Sequence, residues 1–152
     1  MSPLKQFNLA RTSLVAYIQD FSEEMLDFES KYFENTIRWH IGNVLYVDEK
    51  LLFVNPDKTQ KLPKEYRELF SSDIHVKDWK ITPPSLEELM ENLIDQQNRI
   101  NNYNELFWKS DVQFKVPYGH VETHGDLLIM LAHRESETLG KIKLMKRIYE
   151  VQ

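Results

Sequence analysis

Arg134 and Thr138 fall one turn apart on a stripe that otherwise reads Leu127, Leu131, Ile142, Met145 and Tyr149. Steps of three and four mark a buried helical surface, so both side chains are expected to point into a core. A buried guanidinium is stable only when it is paired, because desolvating an isolated charge is very costly. Asp48, Glu135 and Glu137 are the available counter-charges. An arginine closed off by an acid would be a structural lock. The same arginine facing a cavity would hold an anionic group such as a carboxylate.

The histidines allow a third arrangement. His40 and His133, with Glu137 or Asp48, could in principle hold a metal ion, although His133 is turned about 100° around its helix from Arg134. His120 and His124 are spaced like ligands but straddle Thr123, an expected helix cap, and read as a solvated loop pair. His75 sits in a long connection with no partner pattern and is expected to be exposed. The chain has no cysteine, which excludes disulfides, thiolate nucleophiles and Cys-type zinc or iron–sulfur centres. Ser136 and Thr138 lie in no recognisable nucleophile elbow. The four glycines, at 42, 119, 125 and 140, form no phosphate-binding loop.

Helices must position these residues. Helical spacing predicts a first helix over Pro3–Phe21, with Phe7, Leu14, Tyr17, Ile18 and Phe21 inward. A second is expected after Asn35, read as its N-cap, to about Leu52, with Ile37, Ile41, Val44, Asp48 and Leu51 on its inner face and His40, Asn43 and Val47 beside it. The connection from Asn55 to Pro84 is expected to hold a short helix after Pro63 and to tuck Trp79 against the bundle. Ser85 and Glu88 form a capping box for a third helix running to about Phe107. A second connection turns at Pro117 and Gly119, and Thr123 with Asp126 caps a fourth helix reaching Glu150. The expected architecture is one all-α, up-down-type four-helix bundle domain over 1–152, with two long connections.

Composition narrows the partners. The apolar fraction of 41% suits a globular domain, and a net charge of −5 argues against nucleic-acid binding. The only basic cluster, Lys141, Lys143, Lys146 and Arg147, reads as a solvated helix end. No apolar run reaches membrane-span length, and the opening MSPLKQFNLA has no signal-peptide pattern. A soluble, cytoplasmic protein is the expectation.

Two strings, Asn35-Thr36-Ile37-Arg38-Trp39-His40-Ile41-Gly42-Asn43 and Thr138-Leu139-Gly140-Lys141-Ile142, carry a resemblance. They resemble the DinB-like (damage-inducible) four-helix bundle superfamily, with its Trp-x-x-Gly-His pattern on the second helix. Its fourth helix carries His-x-x-x-His, then one residue and Gly-Gln. The resemblance implies a nickel or zinc ion held by three histidines, thiol-dependent transferase or isomerase activity in some members, and pairing into homodimers. Carried over, the three ligand positions fall on Asn43, Arg134 and Thr138, and Lys141 replaces the glutamine. An amide and a hydroxyl are weak ligands for these metals, and an arginine brings a permanent positive charge into the cation's place. The expectation is therefore a DinB-like protein that binds no metal or other cofactor at this position. Asn43, Arg134 and Thr138, supported by His40, Asp48 and Glu137, would then bind an anionic small molecule or serve structure alone. A metal-dependent hydrolase or thiol transferase with a relocated site is the other reading.

Overall fold

A computed structural model describes residues 2–54, 59–115 and 119–152. Within these the chain is helical, with no strand and one isolated bridge between Asp111 and Thr123. Four long helices, α1 (Pro3–Ile18), α3 (Ile37–Leu52), α5 (Leu86–Asn101) and α7 (His124–Val151), form the bundle. Short helices α2 (Glu23–Leu26), α4 (Tyr66–Phe70) and α6 (Glu105–Lys109) and a 3-10 turn (Val76–Asp78) sit in the connections.

Local chemistry sets the starts. Ser2 accepts from the Lys5 amide at 3.2 Å with Pro3 opening α1, and the Ser85 hydroxyl accepts from the Glu88 amide at 3.1 Å. Thr123 and Asp126 satisfy each other's backbone N–H groups in a full capping box. Each such cap stabilises its helix by about 1 kcal/mol.

Several boundaries differ from the sequence reading. Thr36, not Asn35, caps α3. Asn35 instead accepts from the Val76 amide at 3.0 Å and meets His75 Nδ1, pinning the long connection, so His75 is half-buried rather than exposed. α1 stops at Ile18, although Phe21 is still buried beyond it. α5 ends at Asn101, because Asn104 takes the Phe107 amide and starts α6. The expected turn at Pro117 and the start of the long connection at Asn55 lie outside the described residues.

The core has two apolar halves. One gathers Leu14, Ile18, Ile41, Leu45, Leu93 and Ile142; the other gathers Phe7, Leu52, Ile100, Leu127 and Leu131. The early part of α1 and α7 thus shares a half with the late part of α3 and α5. α1 and α7 run one way, α3 and α5 the other, an up-down-down-up order rather than simple alternation. Bringing α5 back parallel to α3 requires a crossover, which the 53–85 segment supplies.

Between the halves each long helix contributes polar groups at one level. Arg11, Asp48, Gln96 and Glu135 are all buried, and Glu49 joins them. Arg11 Nε donates to Glu135 Oε2 at 2.6 Å, its Nη2 to Asp48 Oδ2 at 3.1 Å and Gln96 Oε1 at 3.0 Å, and its Nη1 to the Leu93 carbonyl at 2.8 Å. Gln96 Nε2 donates to Glu49 Oε1 at 2.9 Å, and Arg99 grips the same carboxylate with two N–H groups at 2.9 Å.

The guanidinium at the centre of the core is therefore Arg11, not Arg134, and Arg38, also buried, pairs with Glu23 and Asp27. The inner face of α7 includes Leu127, Leu131, Ile142 and Met145, as the spacing predicts, but between them Glu135 and Leu139 face inward in place of Arg134 and Thr138. Both of those residues are half-buried at its edge. Asp48, expected to answer Arg134, pairs with Arg11 instead.

A candidate anion-binding cleft between α3 and α7

The edge of that face opens into a cleft of about 470 Å³ walled by α3, α7 and the segment after α4. Trp39, His40 and Asn43 line it from α3, Ser72 from the connection, and Met130, His133, Arg134, Glu137, Thr138 and Lys141 from α7. Of the residues singled out from sequence, Asn43, Arg134, Thr138, His40 and Glu137 are brought together here. Asp48 is not; it belongs to the polar layer beneath.

Asn43 is buried and fully used. Its Nδ2 donates to the Phe70 carbonyl at 2.7 Å, and its Oδ1 accepts from Arg134 Nη2. The amide is thus held by α4 on one side and aims the guanidinium on the other. Gly42 allows that approach: a Cβ there would lie 2.3 Å from the ring of Phe70. Trp79 anchors the connection as expected, donating to the Leu69 carbonyl at 2.8 Å, and Trp39 also holds it by donating to the Ile74 carbonyl at 2.9 Å.

Arg134 has this neutral amide as its partner and no carboxylate within ion-pair distance among the described residues. Lys141, two turns further along α7, is exposed, lines the same cleft and likewise forms no ion pair among them. The sequence reading had set Lys141 aside with the solvated basic cluster. His40 is half-buried, and burial, with Lys141 and then Arg134 nearby, pushes its pKa down to about 4. Its imidazole is therefore neutral near pH 7. Glu137 is exposed at the rim. The cleft therefore presents two cations, one rim carboxylate and several neutral donors and acceptors.

Below it, burial and the adjacent Glu135 carboxylate push Asp48 up to about 8 despite Arg11. Burial opposes the charge on Arg11, but Glu135 and Asp48 outweigh it and keep the guanidinium protonated. Sequence reading missed Arg11, Gln96 and Arg99. The signal was present: Phe7, Arg11, Leu14 and Ile18 repeat at four, three and four, as do Leu89, Leu93, Gln96 and Ile100.

His133 is exposed at the cleft mouth, His124 stacks on Phe107 at 4.3 Å, and His120 is exposed. Among the described residues no group of His, Asp and Glu is disposed to hold a metal ion.

A family model for the DinB superfamily matches residues 6–136. The chain belongs to the DinB superfamily. The matched segment contains His40, Asn43 and Arg134 and ends before Thr138 and Lys141. No match is found among curated proteins. Within this DinB-superfamily chain no described helix is long and apolar enough to cross a membrane.

Proposed function

We propose that this chain is a DinB-superfamily protein that has given up the metal site its resemblance implies and uses the α3–α7 cleft to bind an anionic small molecule at Arg134. One observation carries the reading: an aimed guanidinium in an open cleft with no carboxylate paired to it among the described residues. A guanidinium so placed offers several N–H donors in a fixed fork, the geometry that suits carboxylate or phosphate oxygens.

The residues present do not fit a divalent metal. The oxygen of Asn43 already accepts from Arg134, its nitrogen is spent on Phe70, and Arg134 carries fixed positive charge. Thr138 would be left as a lone weak ligand. A reaction is not part of the reading. Arg11, which meets Glu135 and Asp48, forms a closed buried pair, and Arg134 has no such pair among the described residues, which favours the ligand-binding reading over a purely structural one. A cytoplasmic location and a single domain belong to the same proposal.

The test is Arg134→Met. Replacing a half-buried arginine without an acid strands no buried charge and leaves only Asn43 Oδ1 without its donor, so it should cost about 1–2 kcal/mol. The variant should melt slightly below the parent while losing affinity for carboxylate, phosphate and sulfonate probes measured by calorimetry. A loss of several kcal/mol with probe binding intact would refute the reading. So would stoichiometric nickel or zinc in protein purified without chelator.

A further inference from the structure

The cleft holds more positive charge than a single carboxylate needs. Arg134 and Lys141 both line it about 10 Å apart along the axis of α7, given the helical rise. Long side chains can close that gap on one group or span it with two. Because α3 runs opposite to α7, His40, one turn before Asn43, lies toward the Lys141 end. The groups facing it are Arg134, Glu137, Lys141 and His133 from α7 and Ser72 from the connection. Glu137, His133 and Lys141 are exposed and Arg134 is half-buried, and the charges that bear on His40 are those of Lys141 and Arg134.

Resting on the anion-binding reading above, we propose that the ligand is a dianion held by Arg134 and Lys141, and that His40 takes up a proton as it binds. An empty cleft leaves two cations beside the imidazole, which oppose its protonation. A dianion cancels both, and a third positive group beside it then becomes favourable. The same imidazole changes from a neutral acceptor into a charged donor to the ligand. Binding and protonation must then strengthen each other equally.

The probes are sulfate, with both charges on one group, ethane-1,2-disulfonate, with its charges on two, and methanesulfonate as the monoanion. None of these takes up a proton in the range studied, so any proton counted belongs to the protein. Calorimetry at pH 5 in buffers of different ionisation enthalpy should show uptake of about one proton per site for the better dianion. If cancelling the two cations raises His40 from about 4 towards its ordinary 6.5, affinity should be severalfold higher at pH 5 than at pH 7.5. His40→Gln, checked for an unchanged melting temperature, should remove the uptake and flatten that dependence. Whichever dianion binds better says whether the charges sit on one group or two.

Methanesulfonate binding as tightly as both dianions would overturn the dianion while leaving the Arg134 cleft standing. Dianion binding without proton uptake, or uptake that survives in His40→Gln, would overturn the role of His40 alone. Failure of all three probes to bind, in the parent and in Arg134→Met alike, would remove this proposal and the anion-binding reading together.

Discussion

Arg11 and Arg134 share a side chain and differ in what surrounds it, and that difference sets opposite expectations for the two. Arg11 is completely buried, so removing it strands the Glu135 carboxylate in the core and leaves Asp48 without its donor. Arg11→Met should lose about 3–5 kcal/mol, read as a shift in urea midpoint, since breaking a buried pair leaves uncompensated charge. A shift under about 1 kcal/mol would mean that the carboxylates find other partners. Asp48 adds a pH signature. Its folded pKa is raised from 3.8 to about 8, so the folded protein holds a proton that the unfolded chain releases. The stabilisation linked to that proton is complete below 3.8 and is lost as pH rises to about 8. Parent stability relative to Asp48→Asn should therefore fall across that range. A constant difference across the same pH range would show that Asp48 is ionised in the folded state. His40 runs the other way: its folded pKa is depressed, so its contribution is present above 6.5 and lost as pH falls to about 4.

At the scale of elements, α4 is the part on which the cleft depends. Phe70 fills the space above Gly42, packs edge-on against Tyr66 at 5.1 Å and Trp79 at 5.8 Å, and lends its carbonyl to Asn43. Gly42→Ala would drive a methyl group into that ring. Overpacking of this kind costs about 1–3 kcal/mol, and here it should also loosen the amide that aims Arg134. The variant should melt lower and bind anions more weakly, whereas an unchanged melt would show that α4 yields freely. The helices themselves were largely readable, because their caps and apolar periods are local properties of the chain. Thr123 with Asp126 and Ser85 start α7 and α5 where the pattern places them, although the Glu88 carboxylate takes the Tyr66 hydroxyl instead of closing a box with Ser85. The rotation of α7 was not readable. Its apolar residues nearly circle the helix, and only packing against α1 and α3 decides that Glu135, rather than Arg134, faces inward. The split of α5 from α6 was likewise hidden, since either of two neighbouring asparagines could end or begin a helix.

For the whole molecule, the resemblance in two short strings led to the right superfamily, and the bundle follows from it. Helix order was harder to read, because the sequence does not say to which end a long crossover returns. Pairing into a homodimer remains a proposal. Its support is a shallow surface between α1 and α7, lined by Leu9, Ala10, Ser13, Ala132, Ser136 and Leu139, on which Leu9 is 55% exposed. Sedimentation equilibrium should give twice the 18.2 kDa chain mass, with Leu9→Lys reducing it to one. A parent that sediments at the single-chain mass at every concentration tried would end that idea.

The polar layer also works as an address label. Sliding α7 by one turn against α1 would carry Glu135 about 5.4 Å from Arg11 and press both charges against leucines. Exchanging α3 with α5 would interchange Asp48 and Gln96 around Arg11 and spoil the hydrogen bonds each makes to it. The apolar halves tolerate many such rearrangements, because one leucine packs much like another. The layer does not, so a helix slid out of register strands an ion in hydrocarbon while the native threading pairs Arg11 with Glu135.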